Sequence, residues 1–192
     1  LVNCNNITVE NLVLSNTSVG VELLKTRNSR ISNNTVCNNW NGIRLYDSSN
    51  NFITGNNVSN NNERGINLRD SSNNHITSNN VSNNNECGIN LRDSSNNHIY
   101  LNNFINNTDN AHSYESTKIW NSPLEITYTY GGNAYTNYIG NYWSDYNGTD
   151  AEGDGIGNTP YSIDSKGDES DDYPLMKPFE NYNIPTLDNV VI

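Results

Sequence analysis

Residues 47–69 and 70–92 are near copies of each other, DSSNNFITGNNVSNNNERGINLR followed by DSSNNHITSNNVSNNNECGINLR, a tandem repeat with a period of 23. Internal periods of about 20 to 50 residues mark solenoids, propellers or arrays, because one repeat cannot bury its apolar face without neighbours. Aliphatic landmarks carry the register outward from this pair. One column reads Ile7, Ile31, Ile53, Ile76, Ile99, and a second reads Leu12, Val36, Val58, Val81, Phe104. A third follows Gly20, Gly42, Gly65 and Gly88 in the form apolar-x-Leu, giving Val21 with Leu23, Ile43 with Leu45, Ile66 with Leu68 and Ile89 with Leu91. These are short period-2 patterns of half-buried strands, and none runs at helical spacing for the length of a helix.

Leucine-rich repeats share the period but need a regular leucine frame and commonly a helical return. Here each copy returns through poor helix formers such as Ser59, Asn60, Asn61 and Asn62. The pattern therefore predicts an all-β chain, a parallel β-helix of about five coils. Each coil carries three short strands, and equivalent residues stack about 4.8 Å apart.

Asparagine makes up roughly a fifth of the chain, yet it is placed too regularly for low complexity. Asn34, Asn56, Asn79 and Asn102 form one column and Asn28, Asn50, Asn73 and Asn96 another. At strand spacing an amide can donate to one coil and accept from the other, and asparagine tolerates the left-handed backbone of sharp corners. Both columns are read as amide ladders.

With Lys+Arg 10 against Asp+Glu 21, the net charge is -11, which disfavours nucleic acid and anionic membrane surfaces as partners. No apolar run approaches the length of a membrane span. The chain opens at Leu1 without methionine and inside a coil, so it is expected to be a mature or excised piece of a longer protein. Sequons at Asn6, Asn16, Asn33, Asn57, Asn80, Asn106 and Asn147 permit secretion without establishing it. Cys4, Cys37 and Cys87 fall in different columns with no metal-ligand spacing, and are expected to be free thiols.

The repeat changes character at residue 99, with Ile99 to Asn107 the last recognisable coil. From residue 114 onward come ten of the twelve tyrosines and two of the three tryptophans. The coils are accordingly placed over residues 1–107 and an aromatic, Asp- and Gly-rich capping region over 108–192. Trp120, Tyr142, Trp143 and Tyr146 are expected to close the open end of the stack, or alternatively to form a sugar-stacking platform.

Residues 140–164, GNYWSDYNGTDAEGDGIGNTPYSID, and 171–179, DDYPLMKPF, resemble the C-terminal signature of archaeal cell-surface proteins of the NosD type, and the NN-x-I and G-I-x-L coils are similar to that family's repeats. The resemblance implies a right-handed parallel β-helix of the carbohydrate-binding and sugar-hydrolase type, exported and often part of large cell-surface proteins. The family takes its name from a copper-site maturation factor, but fold does not fix function.

Three clusters carry candidate chemistry. Asp150, Glu152, Asp154, Ile156 and Asn158 match positions 1, 3, 5, 7 and 9 of an EF-hand-like loop, so calcium is the expected cofactor. Position 12 is Tyr161 where the bidentate glutamate belongs, so calcium needs a carboxylate from elsewhere, with Asp145 and Asp164 as the candidates. His75 and His98 stack in one outward column with Arg30 and Phe52, and offer copper or zinc two imidazoles but no third ligand. Tyr46, Arg69 and Arg92 stack beside Asp47, Asp70 and Asp93, a strip read as a salt-bridged ladder in preference to a catalytic carboxylate pair.

The whole reads as a non-catalytic extracellular module at the cell surface, with a structural or adhesive role, glycan-binding and self-assembling. Its expected partners are other copies of itself, surface-layer components or a polysaccharide. The competing classes are a polysaccharide lyase or hydrolase and a copper-binding accessory protein.

Overall fold

The structure, a computed structural model, describes residues 1–116, 118–163 and 169–185. The first coil consists of β1 (Thr8–Glu10), β2 (Val13–Ser15) and β3 (Val19–Leu24). The second has β4 (Arg30–Ser32), β5 (Thr35–Cys37) and β6 (Asn41–Tyr46), and the third β7 (Phe52–Thr54), β8 (Asn57–Ser59) and β9 (Arg64–Arg69). The fourth has β10 (His75–Thr77), β11 (Asn80–Ser82) and β12 (Cys87–Arg92), and the fifth β13 (Asn97–Tyr100), β14 (Asn103–Ile105) and β15 (Asp109–Tyr114). Like strands pair in parallel from coil to coil, so the sheets run β1-β4-β7-β10-β13, β2-β5-β8-β11-β14 and β3-β6-β9-β12-β15. This is the expected parallel β-helix.

The coils are held open at their corners by a two-residue device. Asn33, Asn38, Asn50, Asn60, Asn73, Asn83 and Asn96 all adopt the left-handed backbone, with φ between 54° and 58°. The residue after each turns inward and joins a ladder. Asn34, Asn56, Asn79 and Asn102 are buried, and each amide nitrogen donates to the next Oδ1 at 3.0, 3.0 and 2.9 Å. The same oxygens accept a backbone N–H from the previous coil, as Asn34 N–H does to Asn56 at 3.1 Å. In Asn33-Asn34, Asn50-Asn51, Asn60-Asn61 and Asn73-Asn74 the first asparagine makes the bend and the second fills the buried polar position, whereas Asn56, Asn79 and Asn102 fill it after bends at Gly55, Ser78 and Leu101.

That pairing corrects one expected ladder. Asn28, Asn50, Asn73 and Asn96 are exposed bend residues, and the ladder runs through their successors Ser29, Asn51, Asn74 and Asn97. A third amide ladder, Asn39, Asn61, Asn84 and Asn107, completes the set.

The first coil is also out of the expected register. Val9 pairs with Ile31 and Leu14 with Val36, so Ile7 and Leu12 leave the two aliphatic columns. They stand instead at ladder positions, where their N–H groups donate to Ser29 Oγ at 3.1 Å and Asn34 Oδ1 at 3.0 Å. The columns of coils two to five hold as expected, with Ile31, Ile53, Ile76 and Ile99 all fully buried.

The boundary expected at 107 falls inside the fifth coil, whose third strand β15 pairs with β12. Two more strands, β16 (Lys118–Ile119) and β19 (Tyr142–Trp143), extend the first two sheets. Between them lies the antiparallel hairpin β17 (Ile126–Tyr130) and β18 (Asn133–Asn137), and β20 (Tyr161–Ser162) pairs antiparallel with β21 (Ser170–Asp171). Trp143 lies stacked on Phe104 at 4.6 Å, and Tyr161 stacks on Trp143 at 4.4 Å, so aromatic rings close the aliphatic column. Tyr128, Ile139, Leu175 and Tyr182 form a second small core beside it.

Candidate functional site: an arginine and tyrosine groove

Because side chains alternate faces along a strand, every coil of the third sheet presents two outward columns beside its buried aliphatics. One column reads Leu24, Tyr46, Arg69, Arg92, Tyr114 and the other Glu22, Arg44, Asn67, Asn90, His112. From the second coil onward these columns, together with Arg64, line a groove of about 600 Å³. Four of the chain's ten basic residues meet here in a molecule of net charge -11.

The arginines are held in two different ways. Arg44 donates through Nε to Glu22 at 3.0 Å and makes a second bond to it through Nη2, while Arg64 pairs with Glu86. Arg69 and Arg92 are looser. Their nearest carboxylates, Asp70 and Asp93, lie at 3.6 and 3.4 Å, and about half of each side chain is exposed. Arg69 also sits over the Tyr46 ring at 5.5 Å, which steadies it by a cation–π contact. The floor beside them is an amide chain, Asn90 Nδ2 donating to Asn67 Oδ1 at 2.9 Å, with His112 Nδ1 at 3.1 Å from Asn90 Oδ1.

The expected salt-bridged strip of Tyr46, Arg69 and Arg92 is therefore present. Tyr114, His112, Arg44, Arg64, Asn67 and Asn90 were not among the residues expected here. Tyr114 and His112 carry a legible signal, since each follows its predecessor in the column by 22 residues.

The expected sugar platform is divided by burial. Trp120 and Trp143 are 2% and 1% exposed, their indole N–H groups donating to Glu169 and Asp171 at 2.9 Å, so neither offers a face to a ligand. Tyr142 and Tyr146 remain half-buried, and the Tyr146 hydroxyl donates to the Thr159 carbonyl at 2.7 Å. The four residues do not form one surface.

In the acidic loop, Asp150 accepts the N–H groups of Gly153, Asp154 and Gly155 at 2.7, 3.2 and 2.8 Å, and Asp154 accepts that of Ile156 at 2.9 Å. Glu152 accepts the Asn158 amide. Asp145 is elsewhere, accepting from Asn110 at 2.7 Å and Tyr161 at 3.1 Å, and Asp164 lies outside the described residues. The loop is closed by its own hydrogen bonds. Among the described residues no group of three or more His, Cys, Asp or Glu is placed to hold a metal ion.

His75 and His98 do stack, with ring centroids 5.1 Å apart and planes within 7°, and Phe52 continues the stack at 5.0 Å from His75. Burial pushes both imidazoles below their usual range, and His98 adds to the effect on His75. Lone pairs lie in the ring planes, so two parallel rings at this distance direct them side by side and do not converge on one ion. The three cysteines are free, and burial pushes the Cys87 thiol up to about 12, which leaves it unionised.

Fold and groove define a class, a parallel β-helix whose repeated outward columns build a polar and aromatic surface. The chain belongs to the NosD family, described as periplasmic copper-binding protein (NosD), which matches residues 1–148. Copper does not fit the donor set just described, since His75 and His98 are stacked and, among the described residues, have no third ligand beside them.

Among solved structures, the chain is similar to a double mutant of the periplasmic alginate epimerase AlgG, at 25% identity and a TM-score of 0.46, over 59% of this chain and 26% of that one. It is similar also to the A-module of the Azotobacter vinelandii mannuronan C-5 epimerase AlgE6, at 16% identity and a TM-score of 0.42, over 68% of this chain and 42% of that one. The chain thus spans less than half the length of either. No curated protein matches it.

Proposed function

We propose that the chain is a non-catalytic β-helix module that works outside the cytoplasm, in a structural or adhesive role, by holding an extended glycan in the arginine and tyrosine groove. The observation that carries this reading is the Tyr46, Arg69, Arg92, Tyr114 column, in which aromatic faces and unsaturated guanidinium donors are presented together on a rigid sheet. Sugars are bound by such pairs, apolar ring faces stacking on aromatics and hydroxyls meeting fixed donors. The family description as periplasmic supports a place outside the cytoplasm.

A hydrolase needs a pair of free carboxylates, and the acidic side chains beside the groove, Glu22, Glu86, Asp70 and Asp93, each lie against an arginine, Arg44, Arg64, Arg69 and Arg92 in turn. The deciding experiment is affinity electrophoresis of the purified chain through gels containing a panel of polysaccharides, with product analysis of the same mixtures. Retardation without new reducing ends or unsaturated sugars is expected. Turnover of any polymer would replace this reading with the enzymatic one.

A further inference from the structure

We infer that the groove selects carboxylated glycans, with uronate carboxylates seated on Arg69 and Arg92 and the sugar chain running along the stack axis from Tyr46 to Tyr114. The inference rests on the glycan-binding reading and adds the charge, the direction and the register of the ligand.

Three observations carry it. First, Arg69 and Arg92 are register partners on adjacent strands, so two like charges lie about one strand spacing, 4.7–4.9 Å, apart. Such a pair is unfavourable in isolation, and the carboxylates at 3.6 and 3.4 Å are too far to make hydrogen bonds. An anion that bridges the pair, or supplies one carboxylate to each arginine, replaces these weak contacts with charge-assisted bonds in the bidentate geometry guanidinium favours. Second, a different arrangement is found at Arg44 and Arg64, each of which is hydrogen-bonded to a carboxylate, Glu22 and Glu86. Those two shape the groove, and Arg69 and Arg92 remain available within it.

Third, the column is bounded. Tyr46 and Tyr114 are 37% and 52% exposed and lie three coils apart, about 14 Å along the axis. A pyranose in an extended chain is close to one strand spacing in length, so the four rungs Tyr, Arg, Arg, Tyr correspond to successive sugar units. Asn67, Asn90 and His112 run parallel to them and can meet hydroxyl groups. Nucleic acid shares the negative charge, and the net charge of -11 opposes both polyanions alike, so the rung spacing of single sugar units is what separates them and DNA enters the test as a competitor.

The test uses isothermal titration with three acidic glycans of different linkage, polygalacturonate, alginate and hyaluronan, each beside its carboxyl-reduced form, and with single-stranded DNA of similar length. At least one acidic glycan should bind about tenfold or more tighter than its reduced form, a difference of about 1.4 kcal/mol. The double variant Arg69→Gln and Arg92→Gln should lose that preference. Arg27→Gln with Arg30→Gln, an equal charge change outside the groove, should keep it. Circular dichroism melts establish that both variants fold.

Equal binding of charged and reduced forms would overturn the selectivity and leave glycan binding standing. Failure of every glycan to bind would remove both readings. Binding of DNA as tight as that of the best glycan would show a general polyanion surface and overturn the inference.

Discussion

The backbone N–H of Asn141 donates to the buried carboxylate oxygen Oδ2 of Asp171 at 2.7 Å. Asn141 is at the same time the last rung of the main ladder, accepting the Asn102 amide at 2.9 Å across 39 residues of sequence. Its own amide reaches Asp171 at 3.2 Å, Trp143 Nε1 donates to the same oxygen at 2.9 Å, and Tyr173 N–H donates to Oδ1 at 3.1 Å. A ladder of neutral amides always ends with an amide lacking its acceptor. Here a fully buried carboxylate supplies it and ties the coil stack to the C-terminal segment.

Removing that carboxylate should therefore cost more than an ordinary core polar group. Asp171→Ala strands several buried donors, at about 1–3 kcal/mol each, and the expected outcome is a chain that melts far lower or does not fold. Asp171→Asn should be milder, because its carbonyl still accepts. Chemical denaturation of both variants checks the order.

Burial pushes the Asp171 carboxyl up to about 7, against the four donors that favour its charged form. A folded value above the unfolded value of 3.8 means that the folded state holds the proton more tightly. Its contribution is fully present below pH 3.8 and is lost as pH rises through about 7. Urea midpoints of the native chain minus those of Asp171→Asn, followed from pH 4 to 8, should fall along that range. A difference that stays flat would mean that the four donors outweigh burial.

The His75 and His98 stack has the opposite sign. Both imidazoles titrate below the ordinary value of 6.5, so acid protonates the unfolded chain first. Stability should decline as pH drops below about 6.5, and His75→Phe, which continues the Phe52 stack, should reduce the decline. Melting temperatures between pH 7.5 and 5 measure it.

Asn79 and Asn73 differ by role though they share a residue type. Asn79→Ala leaves the Asn56 N–H and amide without their shared acceptor and should cost about 1–3 kcal/mol or more. Asn73→Gly keeps the left-handed bend on an exposed corner and should change stability by only a few tenths of a kcal/mol. Denaturation of the two variants compares them directly.

Asp150 closes its loop by accepting three backbone N–H groups, so Asp150→Ala should lower the melting temperature in chelator as well as in calcium. A loss seen only when calcium is present would show that the carboxylate serves an ion before it serves the loop.

The tandem repeat by itself determined the solenoid. A 23-residue period with three short apolar strands has few ways to bury its aliphatic columns, and the Ile31, Ile53, Ile76, Ile99 column reads directly from spacing. The Tyr46, Arg69 and Arg92 strip was legible for the same reason, since register fixes which residues stack. Spacing failed where chemistry at equivalent positions changed. In the first coil apolar Ile7 and Leu12 occupy ladder positions, and counting aliphatics places them in the core, whereas backbone pairing places Val9 and Leu14 there.

Only the tertiary structure decided which asparagine of a pair such as Asn50-Asn51 bends and which is buried, because the two are identical in type and differ only in φ and direction. It also decided the fate of the aromatic segment. Trp143 and Trp120 are drawn into the end of the stack by the large apolar area they cover, which removes them from the surface. The pairing of β15 with β12 adds Tyr114 and His112 to the groove, a contact that depends on the coil continuing after its sequence signature has faded.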